Sequence, residues 1–308
     1  MHEQRTIKAP VEIQGVGLHC GKDVKITIQP AEVESGIRFI RSDLNKLVEI
    51  PAHVENIRKT LNASTLGING ISIGTVEHLM AAFYGLGIDN ARVEVDGPEV
   101  PILDGSAQGY ISGLHRVGVK RQKRFKRFIL IRRPVAVKED GKFAELHPAE
   151  ELRIKCTISY DHPLLSYQSY EFNFSESDFE KEIAPARTFG FLHELDWLRK
   201  NGLAKGGSLE NAIIIGKQSI LNPGLMHYHD EFVRHKILDT LGDLMLLGGP
   251  VIGRFIGFRS GHTLNLKLVK TLLENPDNYE VIEAYPPEAA KQNGFKTPRW
   301  ITPPSPAS

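Results

Sequence analysis

Three short stretches of this chain carry residue types that could do chemistry together. The richest is His235-Lys236-Ile237-Leu238-Asp239-Thr240-Leu241-Gly242-Asp243. On an α-helix, which advances about 100° per residue, Val233, Ile237, Leu238, Leu241, Leu244 and Met245 share a core-facing arc. His235, Asp239 and Asp243 fall on the opposite side as one i, i+4, i+8 stripe. A His and an Asp one turn apart can close on a single cation, and the same stripe also suits a solvated polar face. Thr75-Val76-Glu77-His78-Leu79 offers a third ligand, His78, with a carboxylate beside it. A hydrolytic zinc site has three protein ligands and leaves one position for water, whose proton a nearby carboxylate takes. Glu77 suits that base. It also suits a plainer task, complementing a helix dipole, as His78 suits a capping or core position. His262, after Ser260-Gly261, is a candidate acid for a leaving group or simply a residue at a helix N-terminus.

These residues need helices to hold them. Thr75 reads as the N-cap of a helix that runs to residue 82 or 84 and closes near Gly85 and Gly87. The longest helical pattern covers 229–247 and ends at Gly248-Gly249-Pro250, and Gly261-His262-Thr263 opens another to residue 273. Strand patterns surround them at 24–28, 37–40, 91–95, 128–131, 135–137, 143–146, 152–158 and 211–215. Asn69-Gly70 and Asp140-Gly141 mark hairpins, because both turn positions tolerate positive φ. Strands and helices mix without regular βαβ alternation, so the fold class expected is α+β. No repeat of 20–50 residues is visible in the sequence. Arg116, Lys120, Arg121, Lys123, Arg124, Lys126 and Arg127 form a run without an acid and with thin aromatic interleaving. It reads as a solvated inter-domain segment, with an RNA-binding module as the alternative. This reading divides the chain into residues 1–122 and 128–285, with a loose tail over 286–308.

Composition narrows the classes. Against 38 Lys+Arg stand 37 Asp+Glu, a formal charge of +1, which argues against a general polyanion binder and for no nucleic-acid partner. No stretch approaches the ~20 apolar residues that span a bilayer, and the first residues lead into no signal-like apolar run, so the expectation is a soluble cytoplasmic protein. Cys20 and Cys156 are the sole cysteines; any metal must therefore rest on His and carboxylates. Gly15-Val16-Gly17-Leu18-His19-Cys20-Gly21 places its last Gly one residue too late for a dinucleotide fingerprint, and His193-Glu194-Leu195-Asp196-Trp197 lacks the second His of a zincin helix.

Five ordered blocks taken together resemble one family. They are Thr75-Val76-Glu77-His78-Leu79, Gly85-Leu86-Gly87-Ile88-Asp89-Asn90, Pro101-Ile102-Leu103-Asp104-Gly105-Ser106, Ala186-Arg187-Thr188-Phe189-Gly190-Phe191 and His235-Lys236-Ile237-Leu238-Asp239. The family is the UDP-3-O-acyl-N-acetylglucosamine deacetylases of lipid A biosynthesis, and the likeness runs from about Gln4 to about Lys270. The resemblance implies a mononuclear zinc amidase that removes acetate from the sugar's 2-amino group in a Gram-negative-type bacterium. It implies Zn2+ on His78, His235 and Asp239, with Glu77 as general base. His262 would be the cationic acid or electrostatic partner, oriented by Asp243, and the Thr188 carbonyl and hydroxyl would lie beside the tetrahedral intermediate. Lys236 would meet the phosphate-bearing or sugar portion of the UDP-linked substrate. Phe189 and Phe191 would flank an acyl passage built by an insert near 188–216, and Tyr160, Lys142 and Arg259 would face the nucleotide. Two α+β domains packed face to face, with the metal at their cleft, are the implied architecture. Members can carry a cysteine near the metal, but Asn62-Ala63-Ser64 has none, which excludes that role here. Another zinc amidohydrolase, acting on a different acylated amino sugar, is the alternative.

Overall fold

The computed structural model describes residues 3–283; the tail expected over 286–308 lies outside them. The first half opens with β1 (Glu3–Ile7), β2 (Val11–Val16), β3 (Asp23–Pro30), β4 (Ile37–Arg41) and β5 (Glu49–Pro51). It continues through β6 (Ile57–Lys59), β7 (Thr65–Ile68), β8 (Ile71–Ile73), α1 (Glu77–Gly85), β9 (Ala91–Val95), α2 (Gln108–Val117) and β10 (Val119–Phe125). The second half opens with β11 (Arg127–Ile131), β12 (Val135–Glu139), β13 (Lys142–His147), β14 (Arg153–Ile158) and β15 (Gln168–Asn173). A one-turn α3 (Glu176–Asp178), β16 (Phe189–Phe191), α4 (Leu195–Lys200) and β17 (Ile213–Ile215) follow. The last elements are α5 (Glu231–Met245), β18 (Val251–Ile252), β19 (Arg254–Phe258), α6 (His262–Glu274) and β20 (Tyr279–Glu283). The α+β class expected from the sequence is the one observed.

The two halves repeat one topology that the sequence hides. One five-stranded sheet has the order β2-β3-β9-β4-β5, the other β12-β13-β19-β14-β15. In each, the last strand made in sequence enters the middle, antiparallel to one hairpin and parallel to the other. Both hairpin turns form as the sequence indicates: Asn69 and Gly70 lie at φ 53° and 80°, Asp140 and Gly141 at 48° and 72°. Helices α5 and α6 cover the second sheet, α2 lies on β2 of the first, and α1 packs against both α2 and α5. One contiguous apolar core runs through both halves.

The basic run is ordered as regular structure: it covers the end of α2, all of β10, which pairs antiparallel with β1, and the step into β11. Arg124 and Arg127 reach Glu34 at 3.9 and 2.9 Å, and the buried Lys126 reaches Asp89 at 2.9 Å. The pattern misleads because most of β10 is exposed and shows no apolar alternation.

Helix α1 is buried along its whole length, and the two helices that matter most, α1 and α5, approach backbone to backbone. A Cβ placed on Gly242 of α5 would overlap the Glu77 carbonyl. Helix propensity alone would reward Gly242→Ala by about 1 kcal/mol. The overlap reverses the sign, and overpacking of this kind costs about 1–3 kcal/mol. Urea unfolding of Gly242→Ala should therefore show a lower midpoint than the native chain; an equal or higher midpoint would mean that the helices do not touch there.

Candidate active site

Helix α1 begins at Glu77 with Val76 at its N-cap, and no side chain caps it. Thr75 is thus not the N-cap. It sits at φ 58°, and its hydroxyl donates to Glu99 Oε2 at 3.0 Å. A β-branched residue in that region costs about 1–3 kcal/mol and persists only when its surroundings impose it. The turn it makes presents Glu77 and His78 to α5. The stripe His235, Asp239 and Asp243 does not face solvent: the three are 1%, 3% and 0% exposed. The stripe also extends one turn earlier, to Glu231, which accepts from the backbone N–H and Nε of Arg187 at 3.0 and 3.1 Å. That fully buried pair holds residues 186–188 beside the helix. The Ala186 carbonyl there accepts from His235 Nδ1 at 3.0 Å. A carbonyl can only accept, so the His235 proton is on Nδ1 and the Nε2 lone pair is free.

That lone pair points to a shared centre. His235 Nε2 is 3.3 Å from Asp239 Oδ1, and His78 Nε2 is 3.6 Å from the same oxygen. Ligand atoms of the three residues all lie within 4.8 Å of one another. Bonds of about 2.0–2.1 Å at tetrahedral angles would set donors about 3.3–3.4 Å apart, so the spacing fits one cation. Asp239 Oδ1 is buried with no hydrogen-bond donor. A buried carboxylate oxygen left so would be costly, and a divalent cation satisfies it. Burial pushes His235 down to about 3, which leaves a neutral imidazole fit to bind a metal. Burial alone would raise Asp239, but His235, Lys236 and His262 outweigh it and hold the carboxyl well below its ordinary range. Lys236 Nζ donates to Asp239 Oδ2 at 2.8 Å.

Glu77 and His262 meet beside this centre, with His262 Nε2 at 3.7 Å from Glu77 Oε1 and 3.9 Å from Asp239 Oδ2. Glu77 Oε2 accepts from the Ser64 N–H at 3.0 Å. Burial lifts the Glu77 carboxyl, against the pull of His262 and His78. His262 goes the other way. Burial alone would lower it, but Asp243, Glu77 and Asp239 raise it to about 10. Its Nδ1 lies 3.0 Å from Asp243 Oδ2, and Asp243 also accepts from Ser64 Oγ at 2.8 Å and Asn265 Nδ2 at 3.0 Å. The cluster therefore sets a reluctant carboxylate against a cationic imidazole beside a cation-ready centre.

Two cavities meet here. One, of about 670 Å³, is largely apolar and is lined by Phe189, Phe191, Leu195, Leu198, Ile214 and Leu221. The other, of about 530 Å³, is more polar and includes Lys142, Arg259, Glu139 and Asp140. Asn62, Tyr160, Lys236 and His262 line both. Strands β16 and β17 pair in parallel beside the apolar cavity, within the segment expected near 188–216. Phe189 stacks edge-on to Phe232 at 4.9 Å and lies beneath Lys236 Nζ at 5.5 Å. Thr188 lines the apolar cavity, but its carbonyl already accepts from the Ile213 N–H at 2.9 Å, which leaves its hydroxyl the freer group.

A family model described as UDP-3-O-acyl N-acetylglycosamine deacetylase matches residues 4–274. The chain belongs to this family. A UDP-3-O-acyl-N-acetylglucosamine deacetylase of Myxococcus xanthus is 49% identical over 283 residues, covering 92% of this chain and 90% of that protein. Proteins of the same name from Syntrophus aciditrophicus and Nitratiruptor sp. are 45% and 47% identical, covering 91% of this chain in each case and 89% and 94% of their own lengths.

In this deacetylase-family chain, Ser64, Asn265, Glu231 and Glu99 take part in the site's framework without having been singled out in the sequence. Asn265 lies one turn beyond His262 and Glu231 one turn before His235, so helical spacing carried a signal for both. Ser64 and Glu99 lie in irregular segments, where spacing says nothing. Since the Asp243 charge raises His262, removing that charge must lower it. NMR titration of the His262 ring should show a charged imidazole past pH 8 in the native protein and a lower pKa in Asp243→Asn. An unchanged titration would remove Asp243 from the pair.

Proposed function

We propose that this chain hydrolyses the acetamide of UDP-3-O-acyl-N-acetylglucosamine, releasing acetate and the free 2-amine, as a zinc-dependent step of lipid A biosynthesis in the cytoplasm. The observation that carries the reading is the convergence of a His/His/Asp cluster, a buried carboxylate and a cationic imidazole where an apolar cavity meets a polar one. His78, His235 and Asp239 are the residues that would hold Zn2+. When bound, zinc supplies the positive charge that acidifies water and polarises a carbonyl.

The chain's own residues do the rest. Glu77, its carboxyl lifted by burial, takes the proton of the attacking water and is placed to return it to the departing amine. The Ser64 N–H fixes one Glu77 oxygen and leaves the other beside His262 Nε2. His262, charged and held by Asp243, offers Nε2–H to the oxygen that becomes negative as the acetyl carbon turns tetrahedral. The Thr188 hydroxyl edges the same space. Lys236 and Tyr160 stand where sugar and phosphate meet the centre, with Lys142 and Arg259 further along the polar cavity for the nucleotide. Phe189 and Phe191 shelter the acyl chain. The expected division at 122 and 128 falls within and just after β10 (Val119–Phe125); the reading of two domains, each supplying part of the site, rests on the two five-stranded sheets of like strand order. The location agrees with helices none of which, among the described residues, is long and apolar enough to cross a membrane.

Acetate release from UDP-3-O-acyl-N-acetylglucosamine should exceed that from UDP-N-acetylglucosamine; equal rates would point to a different amide substrate. Glu77→Ala should keep its metal and lose roughly 10²–10⁴-fold in kcat. His235→Ala and Asp239→Ala should lose the metal itself, read by elemental analysis. Near-native turnover in the first, or full zinc content in the others, would overturn the assigned roles.

A further inference from the structure

One buried carboxylate is not used by the chemistry just described. Glu99 is 4% exposed and follows β9 in an irregular segment. Its Oε1 accepts from the successive N–H groups of His19 and Cys20 at 2.8 and 2.7 Å. Its Oε2 accepts from the Thr75 hydroxyl. The side chain is thus a clamp with one arm on the 17–21 loop and the other on the residue two positions before Glu77. The fit is close on the loop side, where a Cβ on Gly17 would overlap the Glu99 carboxylate. The backbone adds to the second arm: Gly74 forms a parallel bridge with Glu99, and the Val100 N–H donates to the Gly74 carbonyl at 3.1 Å.

The loop arm reaches the apolar cavity. Leu18 and His19 line it, and the Leu18 carbonyl accepts from the Gly206 N–H at 3.0 Å. The Ala204 N–H donates to His19 Nδ1 at 3.3 Å, and Ala204, Gly207 and Ser208 line the same cavity. Thr75, Glu77 and His78 line the same cavity, so an apolar chain seated there touches both ends of a clamp that ties the rim's backbone, through one carboxylate, to a strained Thr75. Binding energy from a remote part of a substrate raises turnover only when it is spent on aligning the reacting groups.

We infer that Glu99 is a positioning residue that couples the rim of the apolar cavity to the Glu77–His78 segment, so that a seated acyl chain raises kcat and not only affinity. The inference rests on the deacetylase reading above. The two arms can be cut separately. Thr75→Val removes the hydroxyl and keeps the shape, Thr75→Ser keeps the hydroxyl, and Glu99→Ala releases both arms.

The test measures kcat and KM on UDP-linked substrates carrying a short or a long 3-O-acyl chain. The native protein should show a kcat about tenfold higher with the long chain, a modest share of what misalignment can cost. In Thr75→Val and Glu99→Ala the kcat values for the two chains should converge while KM still favours the long one, because the cavity itself remains. Thr75→Ser should restore the kcat difference. Where Glu99→Ala fails to fold, the near-isosteric Thr75→Val decides. A kcat difference that survives in Thr75→Val, or that is absent from the native protein, overturns the coupling. A native, zinc-loaded protein that releases no acetate from either substrate instead overturns the deacetylase reading, and the coupling falls with it.

Discussion

The contact of α1 with α5 at Gly242 is the constraint on which the rest of the site depends. It brings Glu77 and His78 from one half of the chain against His235, Asp239 and Asp243 from the other, with no side chain between the two backbones. The closeness has an electrostatic consequence. Six ionisable side chains, those five and His262, are withdrawn from water in one place. Isolated buried charges of this kind are too costly to keep, so each must be neutralised, paired or given to a cation. The cluster shows the first two solutions, since His235 is neutral and His262 and Asp243 pair; Asp239 Oδ1, which faces two imidazole nitrogens with no proton donor of its own, is open to the third.

Environment rather than residue type assigns the roles. His235 and His262 are both buried histidines, yet one is pushed down to about 3 and the other raised to about 10. The partners make the difference. His235 spends its Nδ1 proton on the Ala186 carbonyl, whereas His262 meets the carboxylate of Asp243. The carboxylates divide in the same way. Asp239 is held low by the cations around it, whereas burial lifts Glu77. Pairs of like groups driven apart in this fashion are the usual sign of acid–base chemistry near neutral pH. The framework that sustains the division lies outside the reacting groups, in Ser64, Asn265, and the Arg187–Glu231 pair that anchors the Ala186 carbonyl.

Much of this arrangement could be read from the sequence, for identifiable reasons. The α5 stripe was legible because helical spacing is rigid, and the two hairpin turns because Asn-Gly and Asp-Gly favour positive φ. What the stripe faces was not legible, since polar residues at helical spacing look the same against solvent and against a second buried helix. Thr75 has the type and place of an N-cap, but its backbone is left-handed and its hydroxyl donates to Glu99, distant in sequence, rather than capping the helix. The strand β10 inside the basic run was not legible, because an exposed edge strand need not alternate. The repeated sheet topology left no repeated sequence, because strand order constrains apolar pattern and not residue identity.

On the proposed reading, two imidazoles and one carboxylate, brought together by the α1–α5 contact, would hold a catalytic zinc ion without help from either cysteine. Zinc K-edge X-ray absorption on the purified protein tests it most directly. The spectrum should show a shell of nitrogen and oxygen at about 2.0–2.1 Å with two imidazole signatures and no sulfur. A sulfur shell at about 2.3 Å, or an absorption edge belonging to loosely held hydrated zinc, would contradict it.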